Sequence, residues 1–124
     1  RLYTPLGNNV GWIGSKTYDD DWEGGNYWTK CGYPGMVAGG NRPSRVTWFP
    51  ITDDDNDGAG VELEYFADSS GGDSGGPVFG WWDNVPYVIG AHSGWEDNWG
   101  EPKQNVAAGG SALPNLIIWA QNNW

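Results

Sequence analysis

The sequence predicts an all-β domain closed by one short helix, on three observations. Short runs rich in Val, Ile, Thr, Tyr, Phe and Trp recur along the chain. Turn-forming residues separate them, Gly above all, with 21 in 124 residues. Helical apolar spacing is confined to the last stretch. The length fits a single domain spanning residues 1–124, with no repeat and no internal linker.

Residues 1–27 read as an irregular lead-in, with Gly7-Asn8-Asn9, the acidic run Asp19-Asp20-Asp21 and Gly24-Gly25-Asn26 as turn signals. Tyr27 to Tyr33 reads as a first strand, ended by Pro34-Gly35. Arg45 to Phe49 is a second, stopped by Pro50, and an acidic loop over 53–58 follows. Val61 to Phe66 alternates, with Val61, Leu63 and Tyr65 on one face and Glu62, Glu64 and Phe66 on the other, as in a half-exposed strand. The spacing joins it to the preceding strand as a hairpin. Gly76 to Trp82, Pro86 to Ser93 and Asn105 to Gly110 complete the strands. Residues 111–121 read as a terminal helix, capped by Ser111 or Asn115, with Leu113, Leu116, Ile117 and Ala120 on one face. Six short strands and a C-terminal helix predict a small antiparallel barrel.

Charge narrows the function classes. A formal net charge of −10 leaves no basic patch to neutralise phosphates, so no nucleic-acid partner is expected. No run of eighteen apolar residues occurs, so no membrane span is expected, and no leader peptide is legible. Cys31 and His92 are the single residues of their types. They exclude an intrachain disulfide and a Cys/His zinc site.

The densest chemistry lies in Gly72-Asp73-Ser74-Gly75-Gly76-Pro77. A serine hydroxyl attacks a carbonyl only when a base takes its proton, and the oxyanion that forms needs donors aimed at it. Glycines beside the serine let backbone N–H groups converge on one small concavity without side chains in the way. Ser74 is the candidate nucleophile, and the Gly72 and Ser74 amides are the candidate oxyanion donors.

This string resembles the nucleophile loop of trypsin-like serine proteases. The order of Gly32-Tyr33-Pro34-Gly35, the Ser74 loop, Val78-Phe79 and Val88-Ile89-Gly90-Ala91-His92-Ser93-Gly94 is most similar to the glutamyl-endopeptidase-like branch. The resemblance covers about residues 27–121. It implies a six-stranded antiparallel Greek-key barrel, the second of two, with the active site between them. It implies a secreted endopeptidase acting on polypeptides, with Ser93, Gly94 and Trp95 pairing with the substrate backbone. In this family the catalytic His and Asp precede the serine, yet no His precedes Ser74. Leu2-Tyr3-Thr4-Pro5-Leu6 resembles the stretch shortly after the catalytic aspartate. The expectation is therefore that an N-terminal half or a second chain carries the His–Asp pair, and that this chain alone hydrolyses no peptide.

The resemblance places His92 in the specificity pocket, where with Ser69 and Ser93 it would hold an acidic side chain. Asp68, six residues before Ser74, instead matches the acid that binds Arg or Lys in trypsin-like enzymes. Asp73 matches the acid that pairs with a new N-terminal amine after activation, which here would belong to the other chain.

No cofactor is expected, with one calcium candidate. Asp53, Asp55, Asp57 and Glu64, around Gly58, match the ligand spacing of an EF-hand loop, though strands rather than helices flank it. Two other classes compete with a protease. One is an inactive homologue. The other is a peptide- or carbohydrate-binding module, suggested by ten Trp, with Trp81, Trp82, Trp95 and Trp99 near the expected cleft.

Overall fold

A computed structural model describes residues 7–97 and 99–123. The Leu2–Leu6 stretch of the resemblance lies outside the described residues. Antiparallel strands dominate, and one helix follows them.

The lead-in is more ordered than its turn signals predict. It holds a single helical turn, α1 (Gly7–Val10), a short strand, β1 (Gly14–Ser15), and a 3-10 turn at Asp20–Trp22. The Asp19 carboxylate caps that turn by accepting from the Asp21 N–H at 3.0 Å. The remaining strands are β2 (Trp28–Gly32), β3 (Ser44–Phe49), β4 (Asp53–Asp57), β5 (Gly60–Tyr65), β6 (Pro77–Trp82), β7 (Val85–Glu96) and β8 (Gln104–Gly109). Helix α2 (Ala112–Asn123) closes the order. Its Leu113, Ile117 and Ala120 are half-buried, whereas Leu116 is exposed.

The strands form one sheet in the order β3-β2-β6-β7-β8-β5-β4, with β1 added parallel to β7. The strand count is thus eight rather than six, and the ladder runs open from β3 to β4. Two expectations are corrected. The acidic stretch 53–58 is not a loop, because Asp53–Asp57 pairs residue for residue with β5, from Asp53 opposite Glu64 to Asp57 opposite Gly60. Consequently β5 forms its hairpin with β4, and its other edge pairs with β8 rather than β3.

The core is aromatic and aliphatic. Trp28, Ile51, Leu63, Tyr65, Val78 and Ile89 are fully buried. Phe49 stacks on Tyr65 with centroids 4.8 Å apart, bringing the end of β3 to the end of β5. Trp22 and Trp82 lie 5.0 Å apart and both pack on Trp28. Trp82 therefore serves packing, while Trp81 lies against Phe79. Lys103 sits over the ring of the exposed Trp95.

Glu64 is an acid buried in this interior with no cation bonded to it among the described residues. Its Oε2 accepts from Gln104 Nε2 at 2.6 Å. Burial, a hydrogen bond with Glu96, and the charges of Glu96, Asp53 and Asp55 push its carboxyl from 4.5 up to about 7. Between those values the folded chain holds a proton that the unfolded chain has lost. Stability from this group is therefore fully present below about 4.5 and is lost as pH rises through about 7. Thermal unfolding at pH 5 and pH 8 should differ by about 2 kcal/mol from this source. Glu64→Gln should remove that part of the slope, and an unchanged slope in the variant would refute the assignment.

Candidate functional site

The segment between β5 and β6 is held in shape by its own amides. Asp73 N–H donates to Ser70 O at 3.1 Å, and Gly76 N–H donates to Asp73 O at 2.9 Å. Gly75 N–H donates to His92 O at 2.7 Å, and His92 N–H returns to Gly76 O at 2.8 Å, tying the loop to β7. Gly35 N–H donates to Gly71 O at 2.7 Å, tying it to the turn after β2. Among the described residues, neither Gly72 N–H nor Ser74 N–H has an acceptor within the chain.

Glycine is required at two of these positions. Gly72 has φ +106°, and a Cβ there would collide with Tyr33 O. A Cβ at Gly76 would collide with Cys31 O. The loop thus packs against the β2 backbone and its following turn more closely than any side chain allows. Ser74 stands exposed on the rim of a cleft of about 450 Å3, lined by Gly32, Tyr33, Pro43 and residues 72–77.

Asp73 is buried beneath this loop. Its Oδ2 meets Lys30 Nζ at 2.8 Å, with the two side chains only 5% and 3% exposed. Ser70 N–H at 3.2 Å and Ser69 O–H at 3.4 Å donate to the same oxygen. Burial alone would push this carboxyl up. The Lys30 hydrogen bond, the Ser70 amide, the Lys30 charge and Ser69 outweigh it and hold Asp73 below the usual range. In the role the family resemblance offers it, Asp73 would pair with an N-terminal amine from another chain. Lys30 of β2 takes that place from within the chain. The signal was a lone Lys inside a Trp-Thr-Lys-Cys strand, one of only three in the sequence.

His92 is 4% exposed, and both ring nitrogens are engaged. Nδ1 lies 2.7 Å from Tyr65 Oη and Nε2 lies 2.9 Å from Ser69 Oγ. Burial and the Lys30 charge lower its pKa, partly offset by Asp73, so the ring is neutral at pH 7. It makes no hydrogen bond to Ser74.

The residues expected to form a specificity pocket are only partly gathered. Ser69 and His92 are bonded to each other. Asp68 is exposed and lines a second cleft of about 540 Å3 with Ser69, Ser70, Arg45 and Lys30. Ser93 is not with them. It occupies a bulge between His92, opposite Ala107, and Gly94, opposite Val106, and lines a separate hollow with Asp57 and Glu62. Gly94 and the exposed Trp95 continue β7 along β8. Past Ala91, β7 pairs with β8 but no longer with β6.

The proposed calcium ligands are also redistributed. An EF-hand loop wraps its oxygens around one point, whereas Asp53, Asp55 and Asp57 lie along an extended strand. Among the described residues, the carboxylate oxygens that converge within 4.8 Å are those of Glu62, Glu64 and Glu96. No described helix is long and apolar enough to cross a membrane. Cys31 is free and half-buried, and burial raises its thiol pKa.

No protein-family model matches this chain, and no curated protein sequence matches it.

Proposed function

We propose that this chain supplies the nucleophile and oxyanion site of a serine endopeptidase of the trypsin-like kind. One observation carries the reading. In a loop where the Asp73, Gly75 and Gly76 amides are all bonded, Gly72 and Ser74 keep free N–H groups on either side of the residue beneath an exposed serine hydroxyl. Ser74 Oγ attacks the scissile carbonyl, and its proton passes to a base. The carbonyl oxygen gains charge and is held by the Gly72 and Ser74 amides. Collapse of the tetrahedral species releases the amine, which takes up the proton, and water then hydrolyses the acyl-enzyme.

His92 is not the base in this reading, since Tyr65 and Ser69 occupy its ring. The base and its orienting carboxylate come from outside these 124 residues, on an N-terminal half or second chain. The mechanism draws on side chains and backbone amides alone. The unpaired edge of β7 at Ser93–Glu96 is suited to an extended substrate strand. The Ser69 O–H and the His92 ring N–H are the neutral donors that would be given up to an acidic substrate side chain, which favours cleavage next to Glu or Asp. In this fold reading β2, β3 and β5–β8 form the barrel. The Phe49–Tyr65 stack and the bond from Thr52 N–H to Glu64 O, at 2.8 Å, bridge its open seam.

The 124-residue chain should hydrolyse no peptide alone and should do so when combined with the chain carrying the base. Activity of the isolated chain that survives Ser74→Ala would overturn the proposal.

A further inference from the structure

Beneath the loop, five side chains form one continuous line of polar contacts: Lys30 to Asp73 at 2.8 Å, Ser69 to Asp73 at 3.4 Å, Ser69 to His92 Nε2 at 2.9 Å, and His92 Nδ1 to Tyr65 Oη at 2.7 Å. Tyr65 ends the line. It is 0% exposed and stacked on Phe49, and His92 is the one hydrogen-bond partner of its hydroxyl among the described residues. It touches neither Ser74 nor the clefts around it.

Proton placement along this line has two self-consistent arrangements, and they differ in cost. In the first, Tyr65 O–H donates to Nδ1, Nε2–H donates to Ser69 Oγ, and Ser69 O–H donates to the Asp73 carboxylate. The ring proton of His92 and the hydroxyl protons of Tyr65 and Ser69 then each have an acceptor. In the second, Nδ1–H donates to Tyr65 Oη and Ser69 O–H donates to Nε2. The Tyr65 proton is then stranded in the core, and Asp73 loses a donor. A buried donor without an acceptor forfeits its hydration with no return, so the first arrangement prevails. The negative end of the line, fixed by Lys30, orients the same way.

We infer that Tyr65 is a positioning residue that fixes His92 as the Nε2–H tautomer, so that His92 and Ser69 present neutral donors to an acidic substrate side chain. The inference rests on the acidic preference proposed above. When a carboxylate enters beside Ser69, the Ser69 O–H can turn to it, and the Nε2–H, fixed in the ring plane, can be shared between Ser69 Oγ and the carboxylate. Asp73 keeps Lys30 and the Ser70 amide as partners. Selectivity for the acid is then set from the core by a hydroxyl that never meets substrate.

Because His92 is the single histidine, a chain labelled with 15N at the histidine ring gives one ring spin system. At neutral pH the expected spectrum has Nε2 protonated and Nδ1 bare. Tyr65→Phe keeps the ring stacked on Phe49 and removes only the donor; Nδ1 stays bare, because a proton there would have no acceptor, but its 15N signal should move to that of an unbonded ring nitrogen. Ser69→Ala, which removes the other partner, should leave the Nε2–H form in place. A wild-type ring already in the Nδ1–H or imidazolium form overturns the inference, as does a Tyr65→Phe ring identical to wild type. In the assembled enzyme, Tyr65→Phe should lower kcat/KM for a Glu-containing peptide about tenfold relative to a neutral one. An unchanged ratio beside a changed Nδ1 signal refutes the link to specificity. A wild-type enzyme with no acidic preference refutes the earlier reading, while the tautomer result stands by itself.

Discussion

Lys30→Met is expected to lower the unfolding free energy by about 3–5 kcal/mol, the range for breaking a buried ion pair by removing one partner. Both side chains are almost wholly buried, so the variant leaves the Asp73 carboxylate with Ser69 and Ser70 but no counter-charge. Asp73 must then take up a proton or draw in water. Either response disturbs the residue whose carbonyl accepts from Gly76 and whose neighbour is Ser74. Replacing both partners, as Lys30→Met with Asp73→Asn, should cost less than Lys30→Met alone, because no buried charge remains. Urea unfolding of the four proteins of this cycle, at constant m-value, measures the coupling. A single variant within about 1 kcal/mol of wild type would show that the pair does not hold the loop.

The second large effect falls on chemistry. Gly72→Ala should reduce kcat of the assembled protease about 10²–10³-fold, the scale for losing one oxyanion donor. At φ +106° the new methyl group meets Tyr33 O, so the peptide must rotate and carry its N–H out of the concavity. KM should change little, because the lost interaction forms only in the transition state. Gly71→Ala is the control. Nothing lies within 4 Å of a Cβ at that position, its φ is not positive, and turnover should stay near wild type. Equal losses in both variants would point to general damage to the loop rather than to one donor.

The parts legible in the sequence were those with a local signal. β2, β3, β5, β6, β7, β8 and α2 each lie within a few residues of their expected bounds, because β-branched and aromatic runs ended by Gly or Pro mark strands directly. β4 carried the opposite signal. Asp and Asn disfavour strands, yet Asp53–Asp57 is extended because β5 supplies a full ladder of partners. β1 is two residues long, and only its parallel pairing with β7 defines it. At the site, the glycines around Ser74 were readable because each answers a backbone demand within the loop. Lys30 and Tyr65 were not assigned, since their partners lie 43 and 27 residues away and no periodicity links them. Glu64 looked solvent-facing from alternation alone. It is buried because Gln104 and the Glu96 end of β7 cover it.

If Ser74 is an acyl-transfer nucleophile, it should react covalently with an electrophile that mimics the scissile carbonyl. The native assembly containing this chain would be treated with a fluorophosphonate, digested and mapped by mass spectrometry. One adduct is expected, on Ser74, formed in step with loss of peptide hydrolysis and absent from Ser74→Ala. Loss of hydrolysis with the adduct on another residue, or hydrolysis that continues with Ser74 fully modified, would contradict it.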